Sequence, residues 1–81
     1  MIEIKLPRIG LSMESGRIIR WLKKEGDYLK KGEPFVEIEA DKSTVTIESI
    51  YSGYIRKILA EEGNEVAIET VIAVLEDIET S

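Results

Sequence analysis

The sequence predicts an all-β fold, a sandwich or a barrel, and three observations lead to that prediction. Short segments in which apolar and polar residues alternate recur along the chain of 81 residues. Glycines and prolines separate these segments, and the second half of the chain resembles the first. Because a chain of this length forms one small domain, the segments are expected to share a single core.

Seven segments have the alternation, or the β-branched and aromatic composition, that is typical of strands. In chain order they are residues 2–6, 17–22, 35–40, 44–48, 54–59, 65–68 and 71–75. Turns are expected at residues 25–27 and 31–34, where glycine supplies backbone freedom. Helices are not expected, because a glycine lies within a few residues of each short run of helix-forming residues.

The composition argues against several classes of function. The chain has neither cysteine nor histidine, so we expect no disulfide, no thiolate metal site, no cysteine nucleophile and no histidine base. The net charge of -5 argues against nucleic acid as a partner, because proteins that bind it carry basic patches. No apolar run approaches the roughly 20 residues that cross a bilayer, so no membrane partner is expected. A cytoplasmic protein or a mature fragment fits these properties, and no grouping of side chains suggests catalytic residues.

An internal repeat is the most informative feature of the sequence. When the chain is shifted by about 37 positions, Gly16 aligns with Gly53 and Ile18 aligns with Ile55. The motif EGD at residues 25–27 then falls on EGN at residues 62–64. Two such β-units, each unable to bury its apolar face alone, are expected to pack about a pseudo-two-fold axis.

The repeat also locates an insertion. Segment 2–6 corresponds to segment 44–48 at a shift of about 42, so the connection 7–15 is about five residues longer than the connection 49–52. A two-fold axis that exchanges the halves brings this longer loop beside the turn at residues 41–43. Loops carry function more often than the strands they join, so we expect a site at this end of the molecule.

The turn at residues 41–43 joins two alternating segments, and a hairpin is the natural connection. Asp41 suits the first position of a type I turn, although Asp-Lys-Ser is only a modest hairpin signal. Lys42 would lie exposed at the tip, where its amine could meet another protein. From position alone, a lysine that only solvates the turn is the more common explanation.

Three stretches resemble the lipoyl domain of the dihydrolipoyl acyltransferase component of 2-oxo acid dehydrogenase complexes. They read LPRIGLSMESGRI at residues 6–18, WLKKEGD at 21–27 and IEADKS at 38–43, and the resemblance extends over about residues 2–75. It implies a flattened β-barrel of two four-stranded antiparallel sheets, with the modified lysine at one end and both termini at the other. The domain would span residues 1–77, and residues 78–81 would begin a linker or a disordered tail.

By this resemblance the chain is a non-catalytic carrier in which Lys42 bears covalently attached lipoate. Asp41 and Ser43 would serve in positioning and recognition, or only as a turn former and a small spacer. The loop would be recognised by the decarboxylase through Pro7, Arg8, Ile9, Gly10, Leu11, Ser12 and Met13. The implied partners are a lipoate ligase or lipoyl transferase, a thiamine-diphosphate-dependent 2-oxo acid decarboxylase, the acyltransferase core and dihydrolipoyl dehydrogenase.

The sequence departs from the family pattern at three positions, and two other functions stay open. Ser43 stands where alanine is usual, Ser15 extends the loop, and Glu69 occupies a turn position that is commonly glycine with positive φ. A biotin carrier would have methionines on both sides of the lysine, where this chain has Asp41 and Ser43. An unmodified β-module for protein interaction is the second alternative. Trp21 is expected in the core.

Overall fold

The structure, a computed structural model, describes residues 1–10 and 13–77. Within these residues the chain forms eight β-strands: β1 Ile2–Lys5, β2 Ser15–Trp21, β3 Tyr28–Leu29, β4 Pro34–Ala40, β5 Ser43–Glu48, β6 Gly53–Ile58, β7 Glu65–Ala67 and β8 Val71–Glu76. They make two four-stranded antiparallel sheets with the orders β1-β8-β6-β3 and β5-β4-β2-β7. The predicted all-β fold is confirmed. The expectations for Leu11, Ser12 and residues 78–81 lie outside the described residues.

The sequence predicted seven of the eight strands, and these seven are confirmed. The ends of the seven strands lie within two residues of the predicted ends. The prediction missed β3, because two residues are too few to show an alternating pattern. The repeat contained the signal for it, since Leu29 corresponds to Val66 of β7. In the described part of the chain, no helix is long and apolar enough to cross a membrane.

Each sheet combines strands from both halves of the chain. The central strands of one sheet, β8 and β6, are flanked by β1 and β3 from the first half, and the other sheet has the reverse arrangement. The backbone hydrogen bonds repeat in the same way. The N–H of Ile18 donates to the carbonyl of Asn64 at 2.8 Å, and the N–H of Ile55 donates to the carbonyl of Asp27 at 2.9 Å. Neither half can therefore complete a sheet alone, and the predicted pseudo-two-fold symmetry is confirmed.

Two glutamates also connect the halves. Glu25 Oε2 accepts the N–H of Ile58 at 2.9 Å, and Glu62 Oε2 accepts the N–H of Trp21 at 3.0 Å. Trp21 and Ile58 are the last residues of β2 and β6, where the ladder stops and a backbone donor would lose its partner. Each carboxylate therefore accepts a hydrogen bond from the backbone N–H at a strand end of the opposite half.

The offset between β1 and β5 is 43 residues, so the predicted offset of about 42 is one residue short. Ile4 lies opposite Ala73, and Ile47 lies opposite Val36 at the equivalent place in the other sheet. Because successive side chains of a strand point to opposite faces, a slip by one residue would turn the apolar side chains outward. The offset of 43 lets Ile4 and Ile47 both face the core.

The core lies between the two sheets. Its largest fully buried side chains are Leu6, Ile18, Leu29, Phe35, Val36, Ile38, Ile55, Ile72 and Leu75. Burial of each such side chain contributes roughly 1.5–3 kcal/mol relative to exposure. Trp21 packs against this core, as expected, with its ring centroid 5.9 Å from that of Phe35. Its indole N–H donates to the carbonyl of Ala60 at 2.7 Å.

The turn before β8 contains a glutamate in a backbone conformation that favours glycine. Glu69 has a φ of 71°, and its counterpart in the first half, Gly32, has a φ of 89°. The N–H of Glu69 donates to the carbonyl of Leu6 at 2.8 Å, just as the N–H of Gly32 donates to that of Ser49 at 2.6 Å. The turn therefore forms despite the departure noted in the sequence. For a residue with a Cβ atom, this conformation is unfavourable by about 1–2 kcal/mol.

Replacing Glu69 with glycine should stabilise the fold by about 1 kcal/mol. Glycine relieves the strain, while its greater freedom in the unfolded chain offsets part of the gain. The free energy of unfolding from urea titration measures the difference. Gly32→Ala is the matched control in the other half and should destabilise the fold by about 1 kcal/mol. Equal stabilities of the wild type and Glu69→Gly would show that the strain is absent.

Gly53, the first residue of β6, lies close to the end of β8. A Cβ atom there would lie 2.5 Å from the carbonyl oxygen of Glu76. We expect Gly53→Ala to destabilise the fold by about 2–3 kcal/mol, because the strands have to move apart. Gly10→Ala, whose Cβ would meet no atom within 4 Å, should change stability by less than about 0.5 kcal/mol. Thermal denaturation compares the two variants, and a similar Tm for both would contradict the prediction.

Candidate functional site

The hairpin of β4 and β5 carries Lys42. Ala40 pairs with Ser43, which leaves only Asp41 and Lys42 in the loop. Both loop residues have positive φ, 51° and 70°. A two-residue hairpin loop with this backbone corresponds to a type I′ turn, whose twist matches that of the strands. Asp41 is therefore the first central residue of a primed turn, and the expectation of a type I turn that begins at Asp41 is wrong.

This turn places Lys42 in a strained backbone conformation. Type I′ turns favour Asn-Gly, because both central residues need positive φ. Aspartate tolerates the conformation through its short polar side chain, whereas lysine has no such local compensation. Strain of this kind persists only where the surrounding structure imposes it, and it clusters at functional sites. The hairpin tip is therefore the first candidate for a site.

The side chain of Lys42 lies in solvent above a buried base. Asp41, Lys42 and Ser43 are all exposed. Among the described residues, Lys42 makes no side-chain hydrogen bond and no ion pair. Below the tip, Ile38 is fully buried and Ala40 packs against the core. The amine is thus accessible to a second protein while its backbone is held by the sheet.

The long loop between β1 and β2 lies at the same end of the molecule. The N–H of Leu6 at its start donates to the carbonyl of Thr70 at 2.9 Å. Its other end enters β2 at Ser15, and Arg17 of this strand pairs with Glu39, two residues before the hairpin loop. The predicted proximity of this loop to the Lys42 turn is confirmed for the described residues.

The loop residues expected to recognise a partner differ in exposure. Arg8, Ile9 and Gly10 are exposed, and Pro7 is half-buried. Met13 is only 6% exposed, so its side chain is not available for direct contact with a partner. The recognition role expected for residues 7–13 stays a prediction, and at Met13 it would have to be indirect.

The ends of the described chain lie away from the hairpin. β8 begins beside Lys5, directly after Thr70, whose carbonyl accepts the N–H of Leu6. The last residues of β8 lie beside Ile2. At about 3.3 Å per residue, the length of β8 separates the two ends of the module by roughly 17–20 Å. The expected placement of the lysine hairpin and the termini at opposite ends agrees with this arrangement.

Lys42 does not lie in a deep pocket. A small cleft beside it is lined mainly by polar and charged residues: Ser15, Gly16, Arg17, Glu39, Asp41, Lys42 and Glu65. A larger groove of about 820 Å³ runs between the edge strands β1 and β5 and does not include the lysine. No group of acidic side chains suited to a metal ion occurs in the part of the chain that the structure describes. The site resembles an attachment point more than a substrate pocket.

One carboxylate with a shifted pKa lies outside this hairpin, in the turn that precedes β4. A hydrogen bond from Lys23 Nζ, at 2.9 Å, lowers the pKa of the Glu33 carboxyl, and the backbone N–H of Lys30 lowers it further. This carboxylate helps to close the 30–33 turn. It takes no part in the chemistry of Lys42.

A family comparison adds to this geometry. The family model described as "Biotin-requiring enzyme", the biotinyl/lipoyl family, matches residues 2–75. The chain belongs to the biotinyl/lipoyl family. This membership bears out the family resemblance in the sequence, and it agrees with a carrier domain that does not itself catalyse a reaction.

Two relatives of this biotinyl/lipoyl domain are dihydrolipoyllysine-residue acetyltransferase components of pyruvate dehydrogenase complexes. The protein of Zymomonas mobilis is 44% identical over 75 residues, which cover 91% of the chain and 17% of the relative. The chloroplastic component 5 of Arabidopsis thaliana is 40% identical over 77 residues, which cover 95% of the chain and 17% of the relative. The chain therefore spans about one sixth of the length of these relatives.

A solved structure similar to this biotinyl/lipoyl domain is the lipoyl domain of the 2-oxoglutarate dehydrogenase complex from Azotobacter vinelandii. The two share 31% sequence identity at a TM-score of 0.76, over 95% of this chain and 98% of that one. The flattened barrel of two four-stranded sheets, implied by the resemblance, is thereby confirmed.

Lys42→Gly should be more stable than Lys42→Ala by about 1 kcal/mol. Both variants lose the amine, but only glycine adopts the φ of 70° without a penalty. Urea titration of the two variants gives the difference in the free energy of unfolding. If alanine proved as stable as glycine, the hairpin would have a backbone other than the primed turn.

Proposed function

We propose that the chain is a lipoyl carrier domain in which Lys42 is the attachment residue for lipoate. The observation that carries the proposal is an exposed amine without a polar partner among the described residues, at the tip of a strained two-residue turn. The names of the relatives support it, because dihydrolipoyllysine is a lysine that bears a reduced lipoyl group. Asp41 and Ser43 flank the amine, and we assign them to positioning and recognition during modification.

The geometry of Lys42 fits this attachment. The neutral Nζ attacks the carboxyl carbon of an activated lipoyl group, an amide bond forms, the activating group leaves and the nitrogen loses a proton. The lysine loses its charge, but no ion pair within the described residues is broken. Bound lipoate supplies a dithiolane that accepts an acyl group together with two electrons. The chain holds Nζ away from the core, so that the arm can reach successive active sites.

The proposed partners follow from this carrier role. A lipoate ligase or lipoyl transferase would modify Lys42. A thiamine-diphosphate-dependent 2-oxo acid decarboxylase, an acyltransferase core and dihydrolipoyl dehydrogenase would then use the arm in turn. Linkage of the domain to the core would raise the local concentration of the arm at each site.

The cargo and the location are proposed from the relatives. Pyruvate is the proposed 2-oxo acid, and acetyl the cargo, because the relatives at 40% and 44% identity belong to pyruvate dehydrogenase complexes. The neighbour from a 2-oxoglutarate complex has 31% identity. The proposed location is the cytoplasm, with a chloroplast location, as named for the plant relative, as the alternative.

Expression with lipoate and a lipoate ligase should add one lipoyl group to the chain, measured by intact mass. Lys42→Ala should abolish the adduct, because no other amine lies at the tip of this hairpin. Lys31→Ala, which removes an exposed lysine from another turn, is the matched control and should leave the adduct unchanged.

The same measurement separates the alternatives. An adduct of biotin after expression with a biotin ligase would favour the biotin carrier. Absence of any adduct on the folded wild type would favour an unmodified interaction module. An adduct that persists in Lys42→Ala would contradict the assignment of the site.

A further inference from the structure

The two sides of the flattened barrel differ in how their strand edges are covered. On one side the edge strands β3 and β7 have only two and three residues. The segments 22–27 and 59–64 cross between the sheets on this side. The N–H of Gly26, in the first segment, donates to the carbonyl of Ile55 at 2.7 Å, and the second segment makes the equivalent bond at the same distance. Short and covered edges of this kind leave little backbone for another chain to pair with.

On the opposite side, the edge strands are longer. β1 has four residues and β5 has six, and each pairs with a neighbouring strand on one side only. The unpaired N–H and C=O groups of such an edge can pair with another strand. The groove of about 820 Å³ between these two strands is lined by all of β1 but only by the last two residues of β5. β1 therefore presents a free edge along the groove.

The floor of this groove is apolar. Leu6 and Phe35 are buried beneath it, and Ile47 packs against the core from the β5 wall. Ile50 follows β5 at the end of the groove that is remote from the lysine hairpin, and it is 69% exposed. An exposed isoleucine beside an apolar groove extends the area that a bound chain can bury.

The rim of the groove is acidic. Three glutamates line it: Glu3, Glu48 and Glu69. Lys5 is the only cationic side chain among the described residues of the lining. The three carboxylates form no ion pair within the part of the chain that the structure describes. Glu3 lies between Ile2 and Ile4, which pack against the core, so its side chain points to the outer face of the sheet. Such unpaired carboxylates favour a cationic partner.

We propose that the free edge of β1 binds an extended basic segment of a partner protein, which pairs with β1 as a fifth strand of that sheet. In strand addition, main-chain hydrogen bonds supply affinity and alternate side chains supply specificity. Every second side chain of the segment is apolar and lies over the groove floor, and the lysines or arginines between them face Glu3 and Glu48. Because the groove does not include Lys42, the lysine hairpin stays accessible while the segment is bound. Binding at this edge requires no lipoyl group, so it stands apart from the proposed function.

A nuclear magnetic resonance titration of the isotope-labelled domain tests this binding. The probe is a capped synthetic peptide of about seven residues in which lysine and valine alternate. The amide shifts should change in β1 and at residues 47–50 and should stay constant at residues 41–43. A peptide of the same composition without the alternation should have a Kd at least about five-fold higher.

Two methylated peptides distinguish strand addition from the attraction of charges alone. One carries N-methyl groups on its lysines and the other on its valines, so each lacks the N–H groups along one edge of the strand. Methylation of the edge that faces β1 should raise the Kd at least about ten-fold, because main-chain hydrogen bonds are lost. The other methylated peptide should bind within about three-fold of the parent peptide.

Two matched pairs of exposed positions test the acidic rim and the apolar end of the groove. Glu3→Lys should raise the Kd at least about five-fold, whereas Glu61→Lys, with the same change of charge on the covered side, should keep it within about two-fold. Ile50→Ala should raise the Kd at least about three-fold. Leu59→Ala, which truncates a side chain that is 48% exposed on the covered side, should keep the Kd within about two-fold. Circular dichroism checks the fold of each variant.

Several results would overturn the proposal. Absence of any shift with the parent peptide, or shifts confined to residues 41–43, would remove the binding edge. Equal Kd values for Glu3→Lys and Glu61→Lys, or for the two methylated peptides, would show attraction to an acidic protein without pairing to β1. Self-association of the domain in sedimentation, with no displacement by the peptide, would assign the groove to a second copy.

These outcomes are separate from those of the lipoylation experiment. If a variant does not fold, the methylated peptides decide the question on the wild-type domain. A wild-type domain that acquires no lipoyl group would refute the proposed function and leave the Kd values for the peptides unchanged.

Discussion

The exchange of strands between the two halves is the constraint on which the rest of this structure depends. Each sheet has two central strands from one half and two edge strands from the other. A half on its own would leave apolar side chains and strand edges exposed, so the halves order each other. The reciprocal bonds from Glu25 and Glu62 to strand ends of the opposite half strengthen this dependence. A small domain without cysteine thereby obtains a frame rigid enough to hold a strained turn.

The strained turn shows how that rigidity serves the site. Residues with positive φ occur at equivalent turns of both halves, and glycine occupies most of them: Gly26, Gly32 and Gly63. Lys42 is different, since its conformation is unfavourable for lysine and its side chain makes no polar contact within the described residues. Its conformation is imposed by the pairing of β4 with β5. The same pairing fixes the direction in which the Lys42 side chain leaves the backbone, at the cost of lower local stability.

Much of the fold was predictable from the sequence because its periodicity and its repeat are physical signals. Alternation located seven strands, and the repeat required a two-fold arrangement that brings the long loop beside Lys42. The two residues of β3 were missed because no pattern fits in so short a strand, although the repeat could have supplied Leu29 from Val66. The offset of 43 was missed because aligning the segments by length ignored which face of each strand is apolar.

The site was predictable only in part. The exposure of Lys42 follows from a turn between two strands, but its positive φ does not, because Asp-Lys lacks the glycine that marks a primed turn. The burial of Met13 was equally hidden. From the sequence alone, a methionine in a loop is expected to be exposed. The space beside Gly16 that Met13 occupies forms only when β2 pairs with β4, so the sequence does not reveal it. Ser15 has a clearer structural role than expected, since its hydroxyl donates to Glu65 at 2.6 Å.

The placement of the hairpin and the chain ends at opposite poles has a consequence for reach. A flexible tether attached after β8 would join the domain at the end remote from Lys42. The domain would then rotate about this attachment point, with the amine at its far end. The body of the domain would then act as a stiff extension of the proposed lipoyl arm, and it would add roughly 17–20 Å to the radius that this arm sweeps. A flexible tether of given length would thus serve active sites farther apart than its own span allows.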